Sequence, residues 1–474
     1  MAKKKRRKSN KTCFTIQLML ATSRNDRRLL AKRFHFAEII YNQIVRYVKK
    51  QYNKLIRDPR YKNAEGSERT AIIEEYNLTK FDLIKYSKII ARKYKKHLDS
   101  KVVQCLAKRV YTALDKVLYD NGEYIHFKRF GDLDTIETDT NINKLRFEDN
   151  ILLFNGYKLK VREKSLNNPY IKEVMDSGII KYCRIKRLPF NTGYRYYLQL
   201  VFDGIPPIKN RNIGNSDVGI DIGTSTIAVS SKDNVTLNEL AVKSKDYNSK
   251  IIKLNQKLER SRRLSNPGNF NDDGTIKKGR HKWVYSKSYR KVRMQLKALY
   301  RKKAAYTKQS HEILANEIIS YGNCFYVEDM NFKALQKRSK KTEKNSAGKF
   351  KKKKRFGKSL NNRAPSMLIS IIERKLKYHG IELKKVDTKS FKASQYNHIE
   401  DTYIPKKLYE RHAIIDNHWI QRDLYSSFLL MNSNDDLLTT NRNKCLETFD
   451  RFLELHNICI AENRNKKHPE CFGF

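Results

Sequence analysis

Cysteine is scarce and scattered in this 474-residue chain: Cys13, Cys105, Cys183, Cys324, Cys445, Cys459 and Cys471, odd in number and never in a CxxC pair. That pattern indicates neither a disulfide framework nor a thiolate zinc site. Glycine (18) and proline (9) are few, and the shortage of glycine argues against repeated glycine-rich phosphate loops. No apolar run approaches the roughly 20 residues needed to cross a bilayer. The basic stretch 1–11 lacks the apolar core of a secretory signal and reads as a phosphate-touching arm. Acid is the other shortage. Fifty Asp and Glu face 100 Lys and Arg, a formal net charge of +50. Such a chain repels itself unless a polyanion neutralises it, and nucleic acid is the expected partner. No membrane partner is expected, and a reducing cytoplasm, with nucleoid association through DNA, suits the composition.

What is present has a two-part texture. After the arm, Phe14, Ile16, Leu18 and Leu20 alternate as in a strand. Thr22 or Ser23 can then cap a helix carrying Leu30, Phe34, Tyr41, Ile44 and Val48. Further helices are predicted over 81–94 and 102–119. From 124 to 202 the pattern turns to short strands, with a hairpin joining 179–185 to 194–202 through Pro189, Asn191 and Gly193. Basic and aromatic residues interleave through this half, which permits base stacking beside phosphate contact. The segment 205–212, with Pro206 and Pro207, reads as a linker. Beyond it, 218–230 reads as strand, tight turn, strand. A helical hairpin over about 246–320 comes next, with Ile251, Leu254 and Leu258 on one arm and Val292, Leu296 and Leu299 on the other; Lys303 interrupts that second stripe. A strand is predicted at 323–328, a mobile basic loop at 337–358 (12 basic residues against one acid), a helix at 363–378, a strand at 381–387 and a helix at 422–431.

Three carboxylates stand out by context. Asp221 lies in Val218-Gly219-Ile220-Asp221-Ile222-Gly223-Thr224-Ser225, apolar on both sides. Glu328 ends the run Phe325-Tyr326-Val327-Glu328-Asp329-Met330-Asn331, and Asp423 opens a helix in Gln421-Arg422-Asp423-Leu424-Tyr425-Ser426-Ser427. An acid in a buried strand costs several kcal/mol unless it is paired or binds a metal. Each signal alone is weak; the set of three, in one domain of a basic protein, is what carries weight. Together they would form an all-oxygen nest for Mg²⁺, with Asp329 the runner-up to Glu328.

These blocks resemble the three RuvC motifs of the TnpB nucleases and their relatives, the compact type V CRISPR effectors. The resemblance extends to the basic helix 286–308 and, more loosely, to the N-terminal half. It implies an α/β fold, α+β overall: an RNase H-like RuvC nuclease domain at 213–474, preceded by a β-rich wedge (1–20 and 121–204) with a helical recognition insertion (21–120). It implies guide RNA and target DNA as partners and an RNA-guided, transposon-associated DNA endonuclease. Asp221, Glu328 and Asp423 would hold two Mg²⁺, with Mn²⁺ as a substitute, and hydrolyse phosphodiesters. Lys351, Lys352, Lys353, Lys354, Arg355 and Arg422 are the expected phosphate-binding residues.

The chain departs from the family pattern twice. The four-cysteine zinc ribbon before the third motif is missing: 391–420 holds no cysteine, and His398, His412 and His418 make no thiolate-type site, so no zinc is expected and a metal-free loop is. Tyr425 stands two residues after Asp423 where the family more often has Asn, which is expected to alter the surroundings of the metals. Two alternatives remain: an RNA-guided DNA-binding regulator that does not cut, and a DNA strand-transfer transposase. An actin-like sugar kinase is disfavoured because no second glycine-rich loop follows Asp423.

Overall fold

The computed structural model describes residues 12–119, 122–207, 213–337, 342–343, 345–346, 348, 356–405, 410–465 and 472. The chain divides into two compact units, one ending at Pro207 and the other beginning at Ile208.

In the first unit β1 (Cys13–Met19) leads into the 32-residue helix α1 (Arg24–Leu55). Ser23 caps it: the Ser23 hydroxyl accepts from the Asp26 amide, and the Asp26 carboxylate accepts from the Ser23 amide. The apolar stripe is buried as its spacing predicts, with Leu30, Phe34, Tyr41, Ile44 and Val48 all in the core. Short helices α2 (Pro59–Asn63) and α3 (Gly66–Glu75) precede α4 (Lys80–Tyr94) and α5 (Ser100–Tyr119). Then come β2 (Thr135–Glu137) and a three-stranded meander, β3 (Leu145–Glu148), β4 (Ile151–Phe154) and β5 (Tyr157–Lys160). Helices α6 (Glu163–Leu166) and α7 (Pro169–Ser177) lead to the hairpin β6 (Ile180–Phe190) and β7 (Gly193–Asp203). The main sheet is antiparallel in the order β1-β7-β6-β2.

That hairpin corrects the expected turn. Pro189 lies within β6 opposite Tyr194, and only Asn191 and Thr192 make the turn. Proline is tolerated there because β2 pairs with β6 only at Arg184–Lys186, leaving Pro189 on an unpaired edge. A buried arginine ties α1 to the meander. Arg33 donates to the carbonyls of Phe154 and Asn155, and its guanidinium lies 4.3 Å and 4.5 Å from the rings of Phe154 and Tyr157.

The second unit is built on a five-stranded sheet. Strands β8 (Asp217–Ile222), β9 (Thr226–Ser231) and β10 (Val235–Glu239) form an antiparallel meander. Helices α8 (Tyr247–Leu264) and α9 (Lys287–Ile319) then form a long hairpin. The chain re-enters the sheet as β11 (Cys324–Glu328), passes through α10 (Phe332–Leu335), α11 (Gly357–Arg363) and α12 (Pro365–Tyr378), and returns as β12 (Leu383–Val386). β11 pairs parallel to both β8 and β12, giving the order β10-β9-β8-β11-β12. After α13 (Thr388–Phe391), the cysteine-free region forms two small hairpins, β13 (Tyr396–Asn397) with β14 (Thr402–Tyr403) and β15 (His412–Ile415) with β16 (His418–Gln421). The described chain ends in α14 (Arg422–Met431) and α15 (Arg442–Arg464).

Two hydrophobic cores sandwich this sheet. On one face Val218, Ile220, Ile222, Phe325 and Val327 pack against α9 and α12. On the other, Ala228 and Tyr326 pack against Leu424, Tyr425 and Phe428 of α14 and Phe449 and Phe452 of α15. The alternation of the strands therefore sends Gly219 and Asp221 to the α14 face. Among the described residues no helix is long and apolar enough to cross a membrane.

Candidate active site

Strand geometry brings the first two acids together. β8 and β11 run parallel with Tyr326 beside Gly219 and Val327 beside Ile220. Continuing that register sets Glu328 beside Asp221, at the carboxyl ends of neighbouring strands and on one face. The third acid arrives by helix packing. A Cβ added to Gly219 would sit 1.9 Å from the Ser427 carbonyl oxygen and 2.4 Å from the Met431 nitrogen, so α14 lies directly on β8 at this point. Ser230, opposite Gly219 on β9, bonds Ser427 through their hydroxyls at 2.6 Å. With small residues at these positions the helix runs back along the strand, and its first turn, bearing Asp423, reaches the end where Asp221 stands.

Of the three carboxyls, Asp221 feels the charge of the other two. Burial pushes Asp221 well above the usual carboxylate range; the charges of Asp423 and Glu328 push it further, and Arg422 and Arg411 pull it back. Burial also raises Glu328, to about 7. Asp329, by contrast, is exposed and lies just past the end of β11. Asp423 is engaged by cations: Arg422 Nη2 lies 3.1 Å from its Oδ1 and Arg411 Nη1 3.6 Å from its Oδ2. Among the described residues no three His, Cys, Asp or Glu side chains already converge as ligands around one ion. The donor set nonetheless suits a hard cation: oxygen donors only, in a corner where negative charge is costly.

The expected phosphate-binding residues fare differently. Lys351, Lys352, Lys353, Lys354 and Arg355 lie outside the described residues. Arg422 is largely buried, and besides Asp423 it donates to the Glu410 carbonyl at 2.9 Å, so it braces the carboxylate rather than facing solvent. Sequence reasoning missed Arg411; its approach to Asp423 across β15 and β16 leaves no local signal. Tyr425 also corrects the expectation attached to it. It does not project among the carboxylates but is buried in the core on the α14 face, where its hydroxyl bonds His398 Nδ1 at 2.7 Å and accepts from the His398 amide at 3.2 Å. Burial holds His398 near 4, so it is neutral, and Arg442 donates to its carbonyl at 2.9 Å. This tyrosine–histidine tie anchors the cysteine-free hairpins to α14.

In the first unit, residues 123–131 make an irregular strap along α1. The side chain of Asn42 exchanges two hydrogen bonds with the Lys128 backbone, both 2.8 Å, and Glu38 accepts from the Gly131 amide. Tyr124 and Phe130 project from it, 70% and 75% exposed, among Lys128, Arg129 and His126. Exposed rings between cations are what stacking of nucleic-acid bases needs.

No family model matches the chain, and no curated protein does. Solved structures do. The chain is similar to Cas12f1 in its complex with sgRNA and target DNA, with a TM-score of 0.45 and 12% identity over 90% of this chain and 99% of that one. A CRISPR-Cas12f ternary complex gives 0.28 and 12% over 88% and 83%. The Cas12i1 R-loop complex after target DNA cleavage gives 0.23 and 12% over 91% and 61%. At these values the likeness says nothing residue by residue, and the chemistry of the site rests on the chain's own side chains.

Proposed function

We propose that this protein is a metal-dependent endonuclease of RNase H-like architecture that cuts DNA under the guidance of an RNA. The observation that supports the reading is the pairing of Asp221 and Glu328 on adjacent parallel strand ends, with Asp423, on the first turn of α14, close enough for its charge to raise Asp221. The sheet order supports it: a three-strand meander, then two parallel strands added beside its first strand, is the arrangement an RNase H-like domain requires. The net charge of +50 suits a polyanionic substrate. Guidance by RNA, and a transposon origin, rest on the motif resemblance.

Asp221, Glu328 and Asp423 would hold the metal. Bound Mg²⁺ would supply Lewis acidity toward a phosphate oxygen and a more acidic attacking water. The protein's part is positional: β8 and β11 fix two carboxylates rigidly, and packing of α14 on Gly219 fixes the third. Arg422 and Arg411 balance the charge at Asp423 and hold that side chain in place. The ion pairs on Asp423 also favour a second reading, in which the chain binds DNA without cutting it.

One preparation separates the two. The protein is purified from cells carrying its native locus, co-purifying RNA is sequenced, and DNA matching that RNA is offered with Mg²⁺. A discrete RNA, together with cleavage that is lost in Asp423→Ala while DNA binding is kept, supports the nuclease. Binding without cleavage by the parent protein supports the regulator. Heterogeneous RNA would overturn guided recognition, and equal loss of binding and cutting in Asp423→Ala would show that Asp423 is structural.

A further inference from the structure

Lys303, which the sequence marks as a break in an apolar stripe, is buried in the middle of α9, only 7% exposed. Its ammonium donates to two carboxamides, Asn248 Oδ1 at 3.1 Å and Asn362 Oδ1 at 2.6 Å. Among the described residues it has no carboxylate partner, and burial lowers its pKa. A buried cation with only neutral acceptors is costly and invites an anion. It lines a cavity of about 350 Å³, near the lower end of the range for small-ligand sites, roughly 300–1,000 Å³. That size suits one nucleotide rather than a duplex.

The rest of the wall points the same way. Tyr300, Phe332, Leu360 and Met367 supply apolar and aromatic surface. Gln336 and Asn361 stand exposed at the edge, and among the described residues neither side chain makes a hydrogen bond. Carboxamides so placed can pair with the edge of a base. The 14-residue helix α12 begins at the same wall with no side-chain cap, adding a partial positive charge beside Lys303. The cavity is also tied to the acid-bearing strand ends. Phe332 comes four residues after Glu328, and Ser359, next to Leu360, donates to the Thr224 carbonyl at 3.0 Å, three residues beyond Asp221.

We propose that this cavity is a nucleotide subsite: it takes one unpaired base of the nucleic-acid strand presented to the carboxylates, with an adjoining phosphate at Lys303. The proposal rests on the nuclease reading for the identity of its strand, but its binding step can be measured without cleavage. The base would stack on Tyr300 or Phe332 and meet Gln336 and Asn361 at its edge. A held base would fix which phosphate lies over the acids.

The test uses the purified full chain with its bound RNA and a fluorescein-labelled 12-nucleotide oligothymidylate, read by anisotropy. A set of the same oligonucleotides carries a single abasic site at each position in turn. Ala304→Trp fills the cavity from an exposed helix position and spares the core. It should weaken binding by roughly five- to a hundred-fold, the worth of one stacked base. One abasic position should weaken binding to the parent protein by a similar factor and have little further effect in Ala304→Trp. Lys303→Met should lower the salt dependence by about one phosphate contact. Unchanged affinity in Ala304→Trp, or abasic penalties equal at all positions, would overturn the subsite. Failure of the nuclease reading shows elsewhere: a protein whose Glu328→Gln variant still cuts DNA would refute that reading whatever the oligonucleotide does.

Discussion

Glu328→Gln should make the metal-free protein more stable and less active. The side chain is held near 7 by burial, against an ordinary 4.5. Above pH 7 both folded and unfolded chains carry the charge, and the folded chain bears the full cost of burying it. The gap corresponds to about 3 kcal/mol. Between pH 7 and 4.5 the folded protein binds a proton that the unfolded chain does not, so the penalty fades as pH falls. Below about 4.5 both states are protonated and nothing remains of it. The neutral amide should therefore raise unfolding free energy by up to about 3 kcal/mol at pH 8, with parent and variant converging near pH 4.5. Urea unfolding at a series of pH values in EDTA measures this. Magnesium supplies the second half of the test, because an ion bound only by the folded state stabilises it. Adding 10 mM Mg²⁺ (a concentration of roughly that order keeps the ligand in excess) should raise the parent's midpoint more than the variant's. A Glu328→Gln protein less stable than the parent at pH 8, or a stability difference independent of pH, would refute the account of this corner as an excess of buried negative charge.

The close contact of α14 with β8 predicts that Gly219→Ala is severe. Its Cβ would lie 1.9 Å from a backbone oxygen, so the helix must move, at a cost of about 1–3 kcal/mol or more, and displacement of Asp423 by even about 1 Å can lower cleavage on the order of a hundred-fold. Gly268→Ala, with nothing within 4 Å, is the control; equal thermal midpoints and cleavage rates for the two would contradict the packing. Tyr425→Phe leaves His398 Nδ1 without its 2.7 Å partner and should cost about 1–3 kcal/mol in denaturant unfolding. Stabilisation by Mg²⁺ should survive that change, and its loss would return Tyr425 to the surroundings of the metals.

How far the sequence could be read depended on whether a residue's role was set by its neighbours in the chain or by distant ones. The buried stripe of α1 is local, and so was legible in Leu30, Phe34, Tyr41, Ile44 and Val48, while its cap was narrowed to Thr22 or Ser23 and is Ser23. The acid-bearing strands β8 and β11 were legible for the same reason, since a carboxylate among apolar β-formers is conspicuous within six residues. Helix α15 was not. Its buried face is built from Cys445, Phe449, Phe452, His456, Cys459, Ile460 and Asn463, and the two polar letters His456 and Asn463 break the apolar stripe. Nor could the sequence assign Tyr425, since a tyrosine two residues after Asp423 on a helix lies on a different face from it, and only the arrival of His398 from a hairpin 27 residues away decides what it does. Lys303 shows the same limit from the other side. The break it makes in an apolar stripe was plain, but the stripe gives no sign of Asn248 and Asn362, 55 and 59 residues distant, which let a cation stay in the interior. Where chemistry is assembled from separated segments, the unusual letter marks the place and the fold supplies the meaning.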